Sequence, residues 1–242
     1  MSAPISITGH FSNTVLRNLN ISLENKIIFI KESPLADANF LISYILKSLV
    51  QENKNICFVT LHNNLEHYQS VGKKLGYNLE CVNNDNFTLI NPLENLIETL
   101  TEASLDSIFD SIQNEIRNFR KSNDRPIYVV IDDLSHFIDL GLDITEIIRF
   151  INDCVNLTSD PNTFFVINSH VSSQKDLILA HSVQYVCNLF INVSALKTGK
   201  SSDISGVIKI QKQDEENVYH YKVFDRGVKT FFPGETIYNF YK

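Results

Sequence analysis

The residues of this chain with the strongest claim on chemistry are Asp132 and Asp133, which end an apolar run in IYVVIDDLSHFIDLG, residues 127–141. Two carboxylates at the tip of a buried strand are how nucleotide hydrolases hold magnesium, provided that a glycine-rich phosphate loop stands upstream. That loop should follow the first apolar strand, KIIFI (26–30), and open the next helix. The segment standing there is KESPLADANF. Laid over G-x-x-x-x-G-K-[ST], it puts Lys31 and Ala36 at the glycines, Asp37 at the lysine and Ala38 at the hydroxyl. Glycines let backbone N–H groups wrap a phosphate and lysine supplies positive charge; Asp37 sets a carboxylate there instead. Asp37 does suit a helix start, where its charge meets the dipole and its oxygen accepts an N–H. Without the loop, Asp132 and Asp133 are expected to hydrogen-bond at the strand end and to cap, rather than to bind magnesium.

Other reactive types are not spaced for catalysis. His62 and His67 are five residues apart, which does not put two metal ligands on one helix face. Ser169 and His170 adjoin at a strand end, but no G-x-S-x-G elbow surrounds a serine. Arg117, Arg120, Lys121 and Arg125 cluster where a helix ends, and a solvated C-terminal turn accounts for them. Cys57, Cys81, Cys154 and Cys187 stand far apart among apolar neighbours and read as buried structural thiols. Neither a metal nor a cofactor is expected, and the chain is not expected to be an enzyme.

The elements that must position these residues follow from periodicity. Apolar runs predict strands at 26–30, 55–61, 87–90, 127–131 and 163–168, and three-and-four spacing predicts helices over 37–51, 103–119 and 143–157. Asp143 is the expected cap of the last helix. Val-, Ile- and Phe-rich strands alternating with helices predict an α/β core, a parallel sheet covered on both faces. From about residue 183 strand follows strand, in QYVCNLFINVS, GVIKIQK, VYHYKVF and VKTFF, which predicts an antiparallel extension. No linker or repeat interrupts the chain, so one domain is expected over 1–242: a short segment 1–25, the α/β core 26–182 and the antiparallel strands 183–233.

Of 242 residues, 43% are hydrophobic and 20% charged, enough for a sizeable core and against disorder. The net charge of −7 argues against a broad surface for nucleic acid or anionic membrane, so any RNA contact is local or shared with partners. The opening MSAPISITGHFSN has neither the basic start and apolar block of a secretory signal nor an Arg-rich transit pattern, and a cytoplasmic location, shared with the nucleus, is the expectation.

Three strings, CFVTLHNNLEHYQSVGKKLGYNL (57–79), VVIDDLSHFIDLG (129–141) and YHYKVFDRGVKTFF (219–232), closely resemble the Elongator complex protein 6 family, and the similarity runs in order from about residue 26 to 233. The resemblance implies a RecA-like, P-loop-type fold without its nucleotide motifs. It further implies a hetero-hexameric ring with Elongator proteins 4 and 5, serving a complex that modifies the wobble uridine of tRNAs, with the chemistry in another subunit. Loops facing the opening of such a ring would be 168–176 and 196–206, making Lys175, Lys197 and Lys200 candidates for tRNA contact. Lys209 and Lys212, on a late strand, are candidates for reaching a neighbouring subunit; edge lysines that discourage aggregation explain the same residues. Two other functions remain open: an ATPase subunit completed by a neighbour's phosphate-binding groups, and a free-standing regulator of degenerate fold.

Overall fold

A computed structural model describes residues 14–79, 85–92, 105–199 and 201–235. In chain order the elements are α1 (Thr14–Asn18), β1 (Ile27–Glu32), α2 (Asn39–Gln51), β2 (Asn55–Val59), α3 (Leu65–Leu75), β3 (Phe87–Ile90), α4 (Leu105–Ser122) and β4 (Ile127–Ile131). There follow α5 (His136–Asp139), α6 (Ile144–Leu157), β5 (Thr163–His170), α7 (Gln174–Val186), β6 (Leu189–Ser194), β7 (Gly206–Lys212), β8 (Glu215–Phe224) and β9 (Gly227–Phe231).

Among the described residues, nine strands join one sheet in the order β3-β2-β4-β5-β1-β6-β7-β8-β9. Strands β1 to β6 pair in parallel, with Ile28 beside Val166 on one side and Leu189 on the other. From β6 to β9 the pairing is antiparallel. The extension therefore begins at Gly206, later than the expected 183, because β6 still pairs in parallel with β1. The stretch read as a strand from Gln184 belongs in part to α7, which runs to Val186. Valine and tyrosine there are β-favouring by type, and packing of α7 on the sheet overrides that preference.

The middles of the central strands are apolar on both faces because each face has its own core. Along β1, Ile28 and Ile30 join Leu41, Ile45 and Leu49 of α2 on one face. Ile27 and Phe29 join Ile112 of α4, Phe150 of α6 and Leu179 of α7 on the other. In β4, Tyr128 and Val130 likewise face α2 and α3, and Val129 and Ile131 face α4 and α6. Burying each such side chain contributes about 1.5–3 kcal/mol, so this two-sided sandwich is where the fold gets its stability. The antiparallel strands add Ile208, Ile210, Tyr219 and Tyr221 to the first core, and Tyr44 of α2 holds them by accepting a hydrogen bond from Val228 N at 3.1 Å. Helix ends are set locally. Asp143 accepts the Thr145 N–H at the start of α6, and Asn64 accepts His67 N–H at the start of α3. Gly76, at φ +80°, stops α3 in the left-handed conformation that glycine takes at least cost.

Candidate functional site

Parallel strands end on one rim, and in open α/β sheets that carboxyl-end rim is where ligands bind. Here the rim is formed by the ends of β2, β4, β5, β1 and β6. The first loop on it, after β1, carries Lys31, half-buried in the strand, then Ala36, the exposed Asp37 and the buried Ala38. Amides at the start of α2 are occupied by the chain's own carboxylates. Glu32 Oε2 accepts Ala38 N–H at 2.9 Å, and Asp37 Oδ1 accepts Asn39 N–H at 2.8 Å. A helix N-terminus with its donors so occupied has little left for an anion. Glu32 is also bound to His170 Nδ1 at 3.0 Å. Burial pushes the Glu32 carboxyl above the ordinary glutamate value, against the pull of Ala38 N–H and His170.

Asp132 turns inward to the β2–α3 loop. Its Oδ1 accepts Leu61 N–H at 2.6 Å, its Oδ2 accepts Asn63 N–H at 3.1 Å and Tyr68 O–H at 3.2 Å, and His62 N–H points at both oxygens. The residue is fully buried. Burial pushes its carboxyl up from the ordinary aspartate value, and the three backbone N–H groups oppose that. Asp133 Oδ1 accepts Ser135 N–H and O–H at 3.0 and 2.6 Å and His170 N–H at 3.2 Å. Both strand-end acids are thus acceptors that hold loops of the rim in place.

Asn168, on β5, completes this layer by donating Nδ2 to Asp132 O at 2.8 Å, while Leu134 N–H returns a bond to Asn168 O. At the start of α7, Ser173 and Asp176 form a capping box, and Asp176 Oδ2 also accepts Ser172 N–H and O–H. Burial pushes the Asp176 carboxyl up, but the bonds from Ser172 and Ser173 outweigh it and hold the group below the ordinary aspartate value. Between these acids lies a pocket of about 280 Å³. Among the described residues, no group of three or more His, Cys, Asp or Glu side chains is arranged to hold a metal ion.

A family model described as "Elongation complex protein 6" matches residues 12–225. The chain belongs to the Elongation complex protein 6 family. It is similar to "Elongator complex protein 6" of Drosophila melanogaster, 27% identical over 229 residues, covering 86% of this chain and 90% of the fly protein. The human protein of that name is 23% identical over 233 residues, covering 82% of this chain and 87% of its own. Among solved structures, a KaiC-like protein of the hyperthermophilic archaeon Pyrococcus horikoshii superposes with a TM-score of 0.62 at 11% identity, over 85% of this chain and 89% of that one. The fold is therefore RecA-like, a mostly parallel sheet with antiparallel strands at its C-terminal end.

In this member of the Elongation complex protein 6 family, the basic candidates do not form one patch. Lys175 is exposed in the first turn of α7; of the 168–176 segment read as a loop, only 171–173 link β5, which runs to His170, to α7, which starts at Gln174. Lys197 is exposed after β6 on the same rim. Lys200 and Cys81 lie outside the described residues. Lys209 pairs across to Glu216 on β8 at 3.2 Å, both half-exposed, an ion pair of small worth. Lys212 lies level with the beginning of β6, toward the opposite rim. His62 and His67 stay apart: the His62 ring meets that of His136, and His67 meets Tyr68. The Ser169 Oγ is buried without a hydrogen-bond partner among the described residues, and His170 bonds Glu32, so the two make no dyad. Cys57 and Cys154 are buried free thiols, and Cys187 is half-buried.

Sequence reading missed Glu32, Asn168 and Asp176. The first two were legible as polar residues in apolar strands, and the third through S-x-x-D, the capping-box spacing that opens a helix.

Proposed function

We propose that this chain is a non-catalytic subunit of the Elongator complex. In this reading it occupies positions in a hetero-hexameric ring with Elongator proteins 4 and 5 that binds tRNA and supports wobble-uridine modification, in the cytoplasm and nucleus. Membership of the family supports the complex. The observation that carries the absence of turnover is the α2 N-terminus, where Glu32 and Asp37 accept the N–H groups that a phosphate would need. Lys175 and Lys197 are the candidate tRNA contacts on the rim, with Lys200 as a third beyond the described residues. Each would add affinity for any tRNA sequence and contribute to its salt dependence. Lys209 and Lys212 remain candidates for contact with a neighbouring subunit.

The native mass of the tagged chain isolated from its own cells tests this. A particle with two copies each of this chain and two RecA-like paralogues is expected, with tRNA binding weakened by Lys175→Ala and Lys197→Ala. A lone chain, or a ring of this chain only, overturns the reading. So does nucleotide hydrolysis by the assembled ring that disappears with Asp133→Ala.

A further inference from the structure

The rim pocket is charged in a way that suits neither nucleotide nor RNA. Glu32, Asp133, Asp139 and Asp176 line it with His62 and His170, and among the described residues no lysine or arginine does. Asn168, which also lines it, is only 2% exposed and spends Nδ2 on Asp132 O. Its Oδ1 is left buried without a donor among the described residues, and a buried acceptor without a donor calls for one from elsewhere. Glu32, Asp133 and Asp176 already accept donors of the chain, but their negative charge, with the exposed Asp139 and the Asn168 oxygen, favours a cation that carries N–H donors. At about 280 Å³ the space has room for one long side chain.

Beside the pocket, in the loop joining Glu32 to Asn39, stands Leu35. It is 94% exposed and has φ +65°, a left-handed conformation rare for a leucine. So exposed, the side chain buries almost nothing against the described residues. It can bury itself against an apolar surface of another protein.

We propose that this rim is a docking site for a partner protein that inserts an arginine or lysine side chain into the acidic pocket and rests an apolar patch on Leu35. Where the RecA-like fold elsewhere receives phosphate, this chain receives the opposite charge. The inference rests on the ring reading for where the partner is sought, and on this chain alone for the chemistry.

Two variants test it without touching the buried network. Leu35→Gly suits the left-handed backbone, and Asp139→Lys reverses a largely exposed charge that pairs with His136 at 3.7 Å. Tagged wild type and both variants are isolated from the chain's own cells and compared by native mass, partner recovery and melting of the isolated chain. Expected is a loss of at least tenfold in recovered partner protein for each variant, with melting unchanged for Asp139→Lys and unchanged or raised for Leu35→Gly. Undiminished recovery of the paralogues with both variants overturns the docking site and leaves the ring standing. If the wild type holds a protein other than the paralogues and the variants release it, the ring reading falls and the docking site stands. Wild type recovered alone sinks both. Loss of RNA with protein retained overturns the assignment of a protein partner.

Discussion

Replacing Asp132 by Asn separates a structural acid from one that serves a metal ion. The carboxylate accepts from Leu61, His62 and Asn63 N–H and from Tyr68 O–H. An asparagine keeps one oxygen. If that oxygen stays on Leu61 and His62, the new NH₂ faces Asn63 N–H and Tyr68 O–H. The tyrosine hydroxyl can rotate to accept, but the Asn63 N–H cannot. One buried donor is then unmade, at about 1–3 kcal/mol, and two charge-assisted bonds become ordinary ones, at about 0.5–1 kcal/mol each. Relief from burying a charge offsets part of this. The net loss expected is about 2–4 kcal/mol, or roughly 4–16 °C in melting temperature for a chain of this size. Circular dichroism melting and urea titration of the variant read it directly, in the assembled complex if the isolated chain does not fold. Tyr68→Phe alone should cost about 1 kcal/mol, and the double variant should fall short of the sum, since both remove one contact. A change under 2 °C for Asp132→Asn would refute the structural account. The same result with loss of nucleotide turnover would make Asp132 a metal-serving acid.

Phe58 is fully buried, with ring centroids of Tyr68 at 4.8 Å and Phe87 at 6.5 Å. Phe58→Ala should therefore cost about 3–5 kcal/mol in a urea titration. Gly206→Ala would set a Cβ 2.6 Å from Ser194 O and 2.7 Å from the Tyr221 ring. Backbone on one side cannot yield, so a loss of about 1–3 kcal/mol and a changed near-ultraviolet spectrum are expected. Asp176 has a folded value below its unfolded one, so it binds fewer protons in the folded chain. Its stabilising contribution is present above the ordinary aspartate range near 3.8 and lost as pH falls through the lower folded value. A stability-against-pH curve for Asp176→Asn should lose that acid limb while still lying below wild type at neutral pH; an unchanged limb would refute the assignment.

Much of the fold was legible because strands with apolar residues on both faces and helices with one apolar stripe repeat at different periods. Ile27–Glu32, Asn55–Val59 and Ile127–Ile131 stand where those runs predict. Helix α7 was not legible as a whole, because its polar start resembles a loop and its Tyr-Val end resembles a strand. Strand order depends on pairings such as Ile30 with Asn168, far apart in sequence, and no local pattern carries it. At the rim, KESPLADANF gave the mismatch with a phosphate loop residue by residue. Which carboxylate meets the α2 amides is a matter of three-dimensional reach. Glu32 is legible as a polar residue at the end of its strand, but the amide it holds shows only once the loop curls over it.

The position of β1 has a consequence for how the protein is made. It is the first strand to leave the ribosome, yet both its neighbours, β5 and β6, come far later, the second ending at Ser194. At about 5–20 residues per second, the centre of the sheet waits roughly 8–30 s for its last parallel partner. Until β5 is made, Ile27, Ile28, Phe29 and Ile30 form an apolar segment with both edges open, and the edge meant for β6 stays open longest. A nascent chain stalled before residue 189 would leave the edge meant for β6 unpaired. Such arrested chains should be where aggregation and chaperone capture concentrate.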